Sequence, residues 1–342
     1  MRLTIPILAL LAGLLPLASA AAPGIDRADQ IRARLHDANH WRGHVMVVAH
    51  RAGWKENGRP VRAENSRAAI DNAAALGVEI VELDVRRSAD GALVVMHDHT
   101  LDRTTTCRGA VADYTLARLR TCRLVVEGTG EVTAEVVPTL AEMLGAAKGR
   151  VFVNIDNKLE PQDLPAIAAE ARAIGMADGI LIKNAVWNAD RVALTRTVVA
   201  SVGSDVSFMP IIADDAVRDV RFMATTAQAF AAPAAELITW RRDARLPVTT
   251  DGGPLFSAKA RAAAIRGNWH MWVNTYPITN RPDGMVAGGR GDGVAFVSHR
   301  PDEVFGFWID RGATIIQTDE PKALLHWLDG EGYRTPYDDL TN

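Results

Sequence analysis

Short apolar runs alternate with helix-like stretches along most of this chain, and no other feature constrains its fold as strongly. Each run has the length of a buried strand, and strands separated by helices form parallel βαβ units. The candidate strands are Val45–Ala49, Ile80–Val85, Ala92–Met96, Val151–Ile155, Ile180–Ile182, Val206–Ile212, Leu237–Trp240, Met271–Asn274 and Thr314–Gln317. Eight of these nine runs suffice for a closed TIM (β/α)8 barrel, the α/β fold that we predict.

A barrel of this type takes about 250 residues plus insertions, which fits the 342 residues present. A doubly wound open sheet is the alternative, but no glycine-rich phosphate-binding loop follows the first candidate strand. Asn65 or Ser66 can cap a helix that Gly77 ends, between the first two strands. Residues 98–137 lack the strand–helix rhythm, and we predict a small insertion there, after the third strand.

The N-terminal segment differs from the rest of the chain. It reads MRLTIPILALLAGLLPLASAAAPG and runs from Arg2 through an apolar stretch to small residues, the order of a secretory signal. We expect cleavage after Ala20, which leaves residues 21–342 as one domain in the periplasm or outside the cell; an uncleaved anchor is the alternative. No later apolar run is long enough to span a bilayer, so we expect no stable membrane insertion after cleavage.

Composition narrows the class of partner. The chain is 48% hydrophobic and 23% charged, with a net charge of −3, which is ordinary for a soluble globular protein. It lacks a block of basic residues, so we expect no nucleic-acid partner. Its two cysteines, Cys107 and Cys122, both lie in the predicted insertion, and in an exported protein such a pair is a candidate disulfide. Two free thiols are the alternative.

Carboxylates interrupt the second apolar run at Glu82 and Asp84, where a core favours Val or Ile. Residues two apart on a strand point to the same side, and two close carboxylates repel unless a proton or a cation lies between them. Asp156 follows the run Val151–Ile155 and can supply a third oxygen ligand. Since hard cations prefer oxygen, these acids predict a site for Ca²⁺ or Mg²⁺; pairing of each acid with Arg or Lys is the alternative.

Histidines end two of the candidate strands, His50 after the first and His97 after the third. Active sites of barrels lie at the carboxyl ends of the strands, and imidazoles exchange protons near neutral pH. Arg51 and Lys158 add positive charge that a phosphate can use. The combination predicts metal-assisted phosphoester chemistry. We interpret the remaining histidines as core or surface residues: His36, His40, His44, His99, His270, His299 and His326.

At this point the motifs carry a family resemblance. The order His-Arg, Glu-Asn-Ser, Glu-x-Asp and then HDHTLDRTT, over roughly residues 45–125, resembles the glycerophosphodiester phosphodiesterase family. The segments VPTLAEML, VFVNIDNK, MWVNT and IIQTDEP extend the similarity to about residue 321, whereas about 160–265 match only in rhythm.

The resemblance implies a TIM barrel and a metal-dependent enzyme that hydrolyses glycerophosphodiesters, which are deacylated phospholipids, to glycerol 3-phosphate and an alcohol. The roles it implies are acid–base catalysis for His50 and His97, metal binding for Glu82, Asp84 and Asp156, phosphate contact for Arg51 and Lys158, and orientation of the site for Glu64. We assign His50 as the base and His97 as the acid. We also assign Trp272, on the Met271–Asn274 run, to substrate binding.

Two positions depart from the family pattern. Ala52 stands where the family usually has Gly, so the geometry of this loop is in question. Asp156 stands where the family usually has Glu, and the missing methylene draws the carboxylate back by about 1.5 Å. These departures favour an unusual substrate over loss of activity.

Two other functions compete with this one. A phospholipase of related fold would act on intact lipid and would need exposed apolar loops. Trp54, Trp187, Trp240 and Trp269 are the candidates, but we interpret them as buried residues. An exported protein that binds phosphodiesters without turnover is the second. The small-molecule partner is thus a phosphodiester in each case, and the sequence indicates no oligomeric state, head group or preferred metal.

Overall fold

Eight parallel strands close into a barrel in which the first strand pairs with both the last and the second. The computed structural model describes residues 26–278 and 281–338, so the predicted signal sequence, residues 1–20, lies outside the described residues. The strands are β1 (Met46–Ala49), β2 (Ile80–Arg87), β3 (Phe152–Asn157), β4 (Ile180–Ala185), β5 (Ser207–Ala213), β6 (Ala234–Ile238), β7 (His270–Asn274) and β8 (Ala313–Thr318). The predicted TIM (β/α)8 barrel is confirmed.

Helix α1 (Arg27–His36) precedes β1. The helices that follow strands and pack on their outer faces are α2 (Arg67–Leu76), α3 (Leu140–Ala147), α4 (Leu164–Ala173), α5 (Ala189–Val202), α6 (Val220–Ala229), α7 (Ala258–Gly267) and α8 (Pro321–Gly330). The Ser66 hydroxyl caps α2 by accepting a hydrogen bond from the Ala69 amide, and Gly77 ends the helix with φ +84°. Between β7 and β8 the chain forms helical turns and one short helix, Phe307–Asp310. Within the described residues, no helix has the length and apolar character needed to cross a bilayer.

The third apolar run differs from its prediction. Leu93–Val95 is a strand, but it pairs antiparallel with the end of β2, with Val85 opposite Val95, and it is not one of the eight barrel strands. An apolar run does not reveal strand direction, because a buried antiparallel strand and a buried parallel strand have the same composition. The segment predicted as an insertion, residues 98–137, follows this run, so only two strands of the barrel precede it.

The insertion packs around its own small core. It contains the short helix Leu116–Leu119 and an antiparallel hairpin of Arg123–Val126 and Glu131–Val136. Cys107 and Cys122 form a disulfide in this region, with their Cα atoms 5.4 Å apart, as the sequence predicted. The apolar side chains that pack here are Ala63, Val94, Met96, Leu101, Val111, Leu119, Leu124 and Val137. The disulfide and this core hold the segment that follows His97 against the barrel.

The barrel interior changes from apolar to charged along its axis. Inward-facing residues alternate along each strand, so β2 places Ile80, Glu82 and Asp84 at successive levels. Ile80 belongs to the apolar layer, together with Met46, Val48, Phe152, Leu181, Met209, Ala234, Trp272 and Ile315. The acids lie nearer the carboxyl end of the strand, and this end therefore holds the charged residues.

Helix α1 covers the opposite, amino-terminal end of the barrel. Ile31 and Leu35 of α1 are fully buried against the apolar layer. The sequence pattern does not predict this helix, because its buried apolar residues are only these two, four positions apart. Asp26 caps α1 through a capping box with Asp29.

A buried ion cluster joins the chain termini beside this end. Glu79, just before β2, is fully buried and accepts hydrogen bonds from Arg334 (2.7 Å) and from the Val47 amide (2.9 Å). His44 Nε2 lies 3.3 Å from the same carboxylate. Burial alone would raise the pKa of Glu79, but Arg334 and His44 lower it from the ordinary 4.5 to about 2. The carboxylate therefore ties the C-terminal segment to the β1–β2 junction.

We expect Glu79→Gln to lower the free energy of unfolding by about 3–5 kcal/mol at pH 7, because it leaves Arg334 without its buried partner. Since the pKa of Glu79 is depressed, its contribution is fully present above about 4.5 and is lost as the pH falls toward about 2. Urea denaturation at pH 7 and pH 3 measures the difference, which should shrink at pH 3. Glu331→Gln, at an exposed position, should change little. A constant difference at both pH values would contradict this account.

Candidate active site

The residues singled out in the sequence converge at the carboxyl end of the barrel. A cavity of about 220 Å³ opens there and is lined by His50, Arg51, Trp54, Lys55, Glu127, Pro277, Ile278, Arg281, Asp283 and Asp319. A larger cavity, about 610 Å³, lies outside the barrel against α8 and contains none of the predicted site residues. We therefore place the candidate active site at the smaller cavity, whose lining includes His50 and Arg51.

Three carboxylates form a compact cluster beside this cavity. Glu82, Asp84 and Asp156 each offer an oxygen, and these oxygens all lie within 4.8 Å of one another. The β2–β3 register places Asp84 directly opposite Asp156. Burial, together with the charges of Asp84 and Asp156, raises the pKa of Glu82 well above its ordinary value. The neighbouring positive groups therefore do not fully offset the negative charge of the three carboxylates.

Two lysines partly compensate this charge. Lys158 Nζ lies 2.5 Å from Asp156 Oδ2 and 3.1 Å from Asp84 Oδ1. Lys183, on β4, is buried, lies 3.9 Å from Asp156 Oδ1 and pairs with Glu236 at 2.9 Å. Burial would raise the pKa of Asp84, but Lys158, with His97 and Arg51, holds it far below its ordinary value.

The cluster fits a hard divalent cation. Its donors are carboxylate oxygens, which Ca²⁺ and Mg²⁺ prefer, and three of them converge. Asp84 Oδ1 is buried and accepts no hydrogen bond from any described residue, although Lys158 Nζ lies close to it. A cation would satisfy this oxygen and remove the repulsion that raises the pKa of Glu82. The predicted ligand set, Glu82, Asp84 and Asp156, is therefore brought together, with Lys158 as a competitor for two of its oxygens.

His50 is held on a strained turn directly after β1. Arg51, Ala52 and Gly53 all have positive φ, at +48°, +67° and +89°. The turn points the Arg51 amide at Glu82 Oε2, 2.8 Å away, so it also fixes the Glu82 carboxylate. A left-handed backbone at position 52 explains why glycine suits it, and Ala52 adopts the same conformation at some cost in strain.

Asp319, directly after β8, fixes the imidazole of His50. Its Oδ1 lies 2.7 Å from His50 Nδ1, and it also accepts hydrogen bonds from Lys55 Nζ (2.7 Å) and Trp54 Nε1 (3.1 Å). With Nδ1–H donated to Asp319, Nε2 keeps a lone pair and can accept a proton. Burial lowers the pKa of His50 to about 4, despite the opposing effect of Asp319.

His97 has a similar partner on the other side of the site. It follows the antiparallel strand Leu93–Val95, and its Nδ1 lies 2.7 Å from Asp98 Oδ1. Arg103 Nε donates to Asp98 Oδ2 at 2.7 Å and its Nη2 donates to Glu64 Oε1 at 2.7 Å. Glu64 also accepts from Arg51 Nη1 at 2.7 Å. The structure thus places Glu64 between two arginines, one beside each histidine.

Trp272 is located differently from its prediction. Its side chain is fully buried in the apolar layer of the barrel, and its indole N–H donates to Asn274 Oδ1 at 2.9 Å. The Trp272 side chain points into the barrel one level below the charged residues. It is not exposed there and has no surface with which to contact a substrate. Its strand was identified, but the level of the side chain within the barrel depends on the register, which the sequence does not give.

Several residues of the site received no role from the sequence. They are Asp319, directly after β8, Lys183 on β4, and Tyr276 after β7. Lys183 is a lysine inside an otherwise apolar strand, ILIKNA, which is the same kind of signal that revealed Glu82. Tyr276, whose ring stacks on His50, carries no comparable signal because it lies in an ordinary loop.

Comparisons with known proteins agree with this geometry. Residues 50–206 match the model of the glycerophosphoryl diester phosphodiesterase family, and residues 208–328 match that of a domain of unknown function. Strands β2–β4 lie in the first segment and β5–β8 in the second, so both segments build one barrel.

Relatives of known name share part of the sequence. A glycerophosphodiester phosphodiesterase of Caldanaerobacter subterraneus is 38% identical over 115 residues, which are 33% of this chain and 45% of that protein. Another, from Bacillus altitudinis, is 35% identical over 133 residues, 37% of this chain and 51% of that protein. The chain thus spans about half the length of these curated relatives.

Solved structures share the fold over a longer span. A glycerophosphoryl diester phosphodiesterase from Parabacteroides distasonis has a TM-score of 0.62 at 18% identity, covering 93% of this chain and 96% of that one. One from Agrobacterium tumefaciens has a TM-score of 0.55 at 23% identity, covering 82% and 99%. At these identities the likeness concerns the barrel architecture.

We expect Asp156→Asn to weaken binding of Mg²⁺ or Ca²⁺ by at least about tenfold, because it removes one of three clustered charges at nearly constant shape. Asp156→Glu should retain binding. Isothermal titration calorimetry with each ion measures the affinity, and Asp215→Asn, at an exposed acid at the same end of the barrel, serves as the control. Unchanged affinity in Asp156→Asn would mean that this carboxylate only pairs with Lys158.

Proposed function

We propose that this chain, whose residues 50–206 match the glycerophosphoryl diester phosphodiesterase family, acts as such an enzyme and hydrolyses glycerophosphodiesters to glycerol 3-phosphate and an alcohol. The observation that carries this proposal is the pairing of an acidic triad with two carboxylate-oriented histidines at one end of the barrel. Such a set supplies what phosphodiester hydrolysis needs: a cation site, a proton acceptor and a proton donor.

Glu82, Asp84 and Asp156 would hold one divalent cation, Ca²⁺ or Mg²⁺. When bound, such a cation offsets negative charge on a phosphate oxygen as phosphorus becomes five-coordinate. Arg51 lies beside the triad with its guanidinium held by Glu64, and Lys158 adds a second positive charge. These groups bind and orient the phosphate.

His50 would act as the base. Its Nδ1–H is donated to Asp319, and the low pKa that burial causes keeps the ring neutral at pH 7. Nε2 then takes the proton from the nucleophile, which is either water or the 2-hydroxyl of the glycerol moiety, as that oxygen bonds to phosphorus.

His97 would act as the acid. Asp98 holds its Nδ1, which leaves Nε2 to deliver a proton to the oxygen of the departing alcohol as the phosphorus–oxygen bond breaks. With water as the nucleophile, His50 takes one proton and His97 gives one, so the two histidines exchange protonation states, and proton exchange with solvent restores them. With the 2-hydroxyl as the nucleophile, the same transfers release the alcohol and form a cyclic phosphate. A water molecule then opens this ring to glycerol 3-phosphate, giving a proton to His97 while His50 returns one to the 2-oxygen, which restores both histidines.

We also propose that the protein works outside the cytoplasm. The signal-like N-terminus supports export, and the Cys107–Cys122 disulfide fits an oxidising compartment. Of the four tryptophans that a lipid-surface enzyme could expose, Trp54 and Trp269 are buried and Trp240 is half-buried, whereas Trp187 is 48% exposed. Because only one of these four tryptophans is exposed, their positions favour soluble diesters over intact lipid as the substrate.

Product analysis tests the proposal. We expect purified protein with Mg²⁺ or Ca²⁺ to release glycerol 3-phosphate from a panel of glycerophosphodiesters, and chelation to abolish the release. Micelles of intact phosphatidylcholine form the second arm, and Asp84→Asn is the inactive control. Head-group release from micelles alone would identify a phospholipase, and binding of the diesters without products would identify a binding protein.

We expect His97→Ala to lose on the order of 10²–10⁴-fold in kcat with glycerophosphocholine, the usual effect of removing a general acid. The loss should be much smaller with a p-nitrophenyl diester, because that leaving group needs little protonation. Steady-state kinetics on both substrates measure the ratio, and His99→Ala, at an exposed histidine nearby, is the matched control. Equal losses on the two substrates would exclude His97 as the acid.

A further inference from the structure

Tyr276 covers one face of the imidazole of His50. It lies two residues after β7, and its ring is stacked on His50 with the centroids 3.6 Å apart and the planes at 17°. Asp319 contacts the same imidazole at its edge, through Nδ1. A ring held by one hydrogen bond can still swing about that bond, whereas a flat side chain against its face removes this freedom.

The hydroxyl of Tyr276 is anchored at the other end of the ring. Asn274 Nδ2 lies 3.3 Å from the phenolic oxygen and donates to Glu236 Oε1 at 2.7 Å. The orientation of the Asn274 amide is set by Trp272, whose N–H donates to its Oδ1. Burial and the carboxylates of Glu236 and Glu82 raise the pKa of Tyr276 well above its ordinary value, so the phenol stays neutral.

We infer that Tyr276 is a positioning residue, whose ring fixes the plane of His50 and excludes water from its face. The inference rests on the proposed role of His50 as the base. It deepens that role, because a base must meet its proton within hydrogen-bond reach and in line, and small misplacements are costly in rate.

The surroundings of His50 show what the ring contributes. The charged groups that act on His50 are Asp319 at its edge, Arg51 next in the chain and Asp84 from β2, with Lys55 bound to Asp319. Asp319 and Asp84 favour the protonated imidazole, and Arg51 opposes it. Burial outweighs the two carboxylates, and the stacked face of Tyr276 is part of that burial.

Replacement of the ring tests the inference. We expect Tyr276→Leu to lower kcat by on the order of 10–100-fold with a smaller effect on KM, because the base is misplaced while the phosphate contacts remain. The acid limb of the pH–rate profile should move to higher pH, since solvent reaches His50. Tyr276→Phe restores the ring and should recover most of the lost activity and the original profile.

A readout independent of activity separates this inference from the proposed function. NMR titration of the His50 ring protons should show its pKa rising from about 4 toward 6.5 in Tyr276→Leu and not in Tyr276→Phe. If the wild-type protein has no phosphodiesterase activity, the proposed function fails, and the titration still decides whether Tyr276 governs His50.

Two results would overturn the inference. An unchanged pH profile and titration in Tyr276→Leu would mean that Asp319 alone holds the imidazole. An equal loss in Tyr276→Phe and Tyr276→Leu would assign the effect to the hydroxyl. Tyr276→Met carries the same expectation as the leucine variant if that variant does not fold, and Trp187→Leu, an exposed aromatic at the same end of the barrel, should leave both readouts unchanged.

Discussion

The convergence of three carboxylates within 4.8 Å of one another, with Glu82 and Asp84 buried and Asp156 half-buried, is the constraint on which the charged end of this barrel depends. Unpaired charge is costly in a low-dielectric interior, so each neighbouring element supplies compensation. Lys158 follows β3, Lys183 lies on β4, and the turn after β1 directs the Arg51 amide to Glu82. This hydrogen bond gives a reason for the strained backbone of that turn, because the turn that directs it to the buried Glu82 carboxylate also holds His50 at the site.

The sequence was sufficient for the fold because the strands of a parallel barrel are buried on both faces. All eight barrel strands were located from apolar runs, with ends displaced by up to three residues, as for Ala234–Ile238. Leu93–Val95 was placed among them because composition does not encode strand direction. Helix α1 was not predicted, because its buried apolar residues are only Ile31 and Leu35 and the third buried residue, Arg34, is charged.

The site was predictable where a residue contradicts its local context. Glu82, Asp84 and His97 interrupt or end apolar runs, and the family motifs supplied roles for them. Residues that matter only through a three-dimensional contact could not be found in this way. Asp319 is distant from His50 in the sequence and contacts the imidazole at Nδ1, and Tyr276 stacks on the face of the same imidazole. Trp272 is the opposite case. It was assigned to substrate binding, but its side chain packs in the apolar layer inside the barrel.

The short pairing between β1 and β2 affects the order in which the barrel can assemble while the chain is synthesised. This pairing is short, with Val48 opposite Ile80 and Ala49 opposite Val81, and β1 finds its other neighbour only in β8. Because β8 and Arg334 follow all the other barrel strands in the chain, the sheet cannot close and Glu79 cannot pair with Arg334 until they have been made. His50, directly after β1, likewise cannot pair with Asp319 until β8 has been made. A product of incomplete translation therefore lacks the oriented imidazole, however much of the acidic cluster it has already assembled.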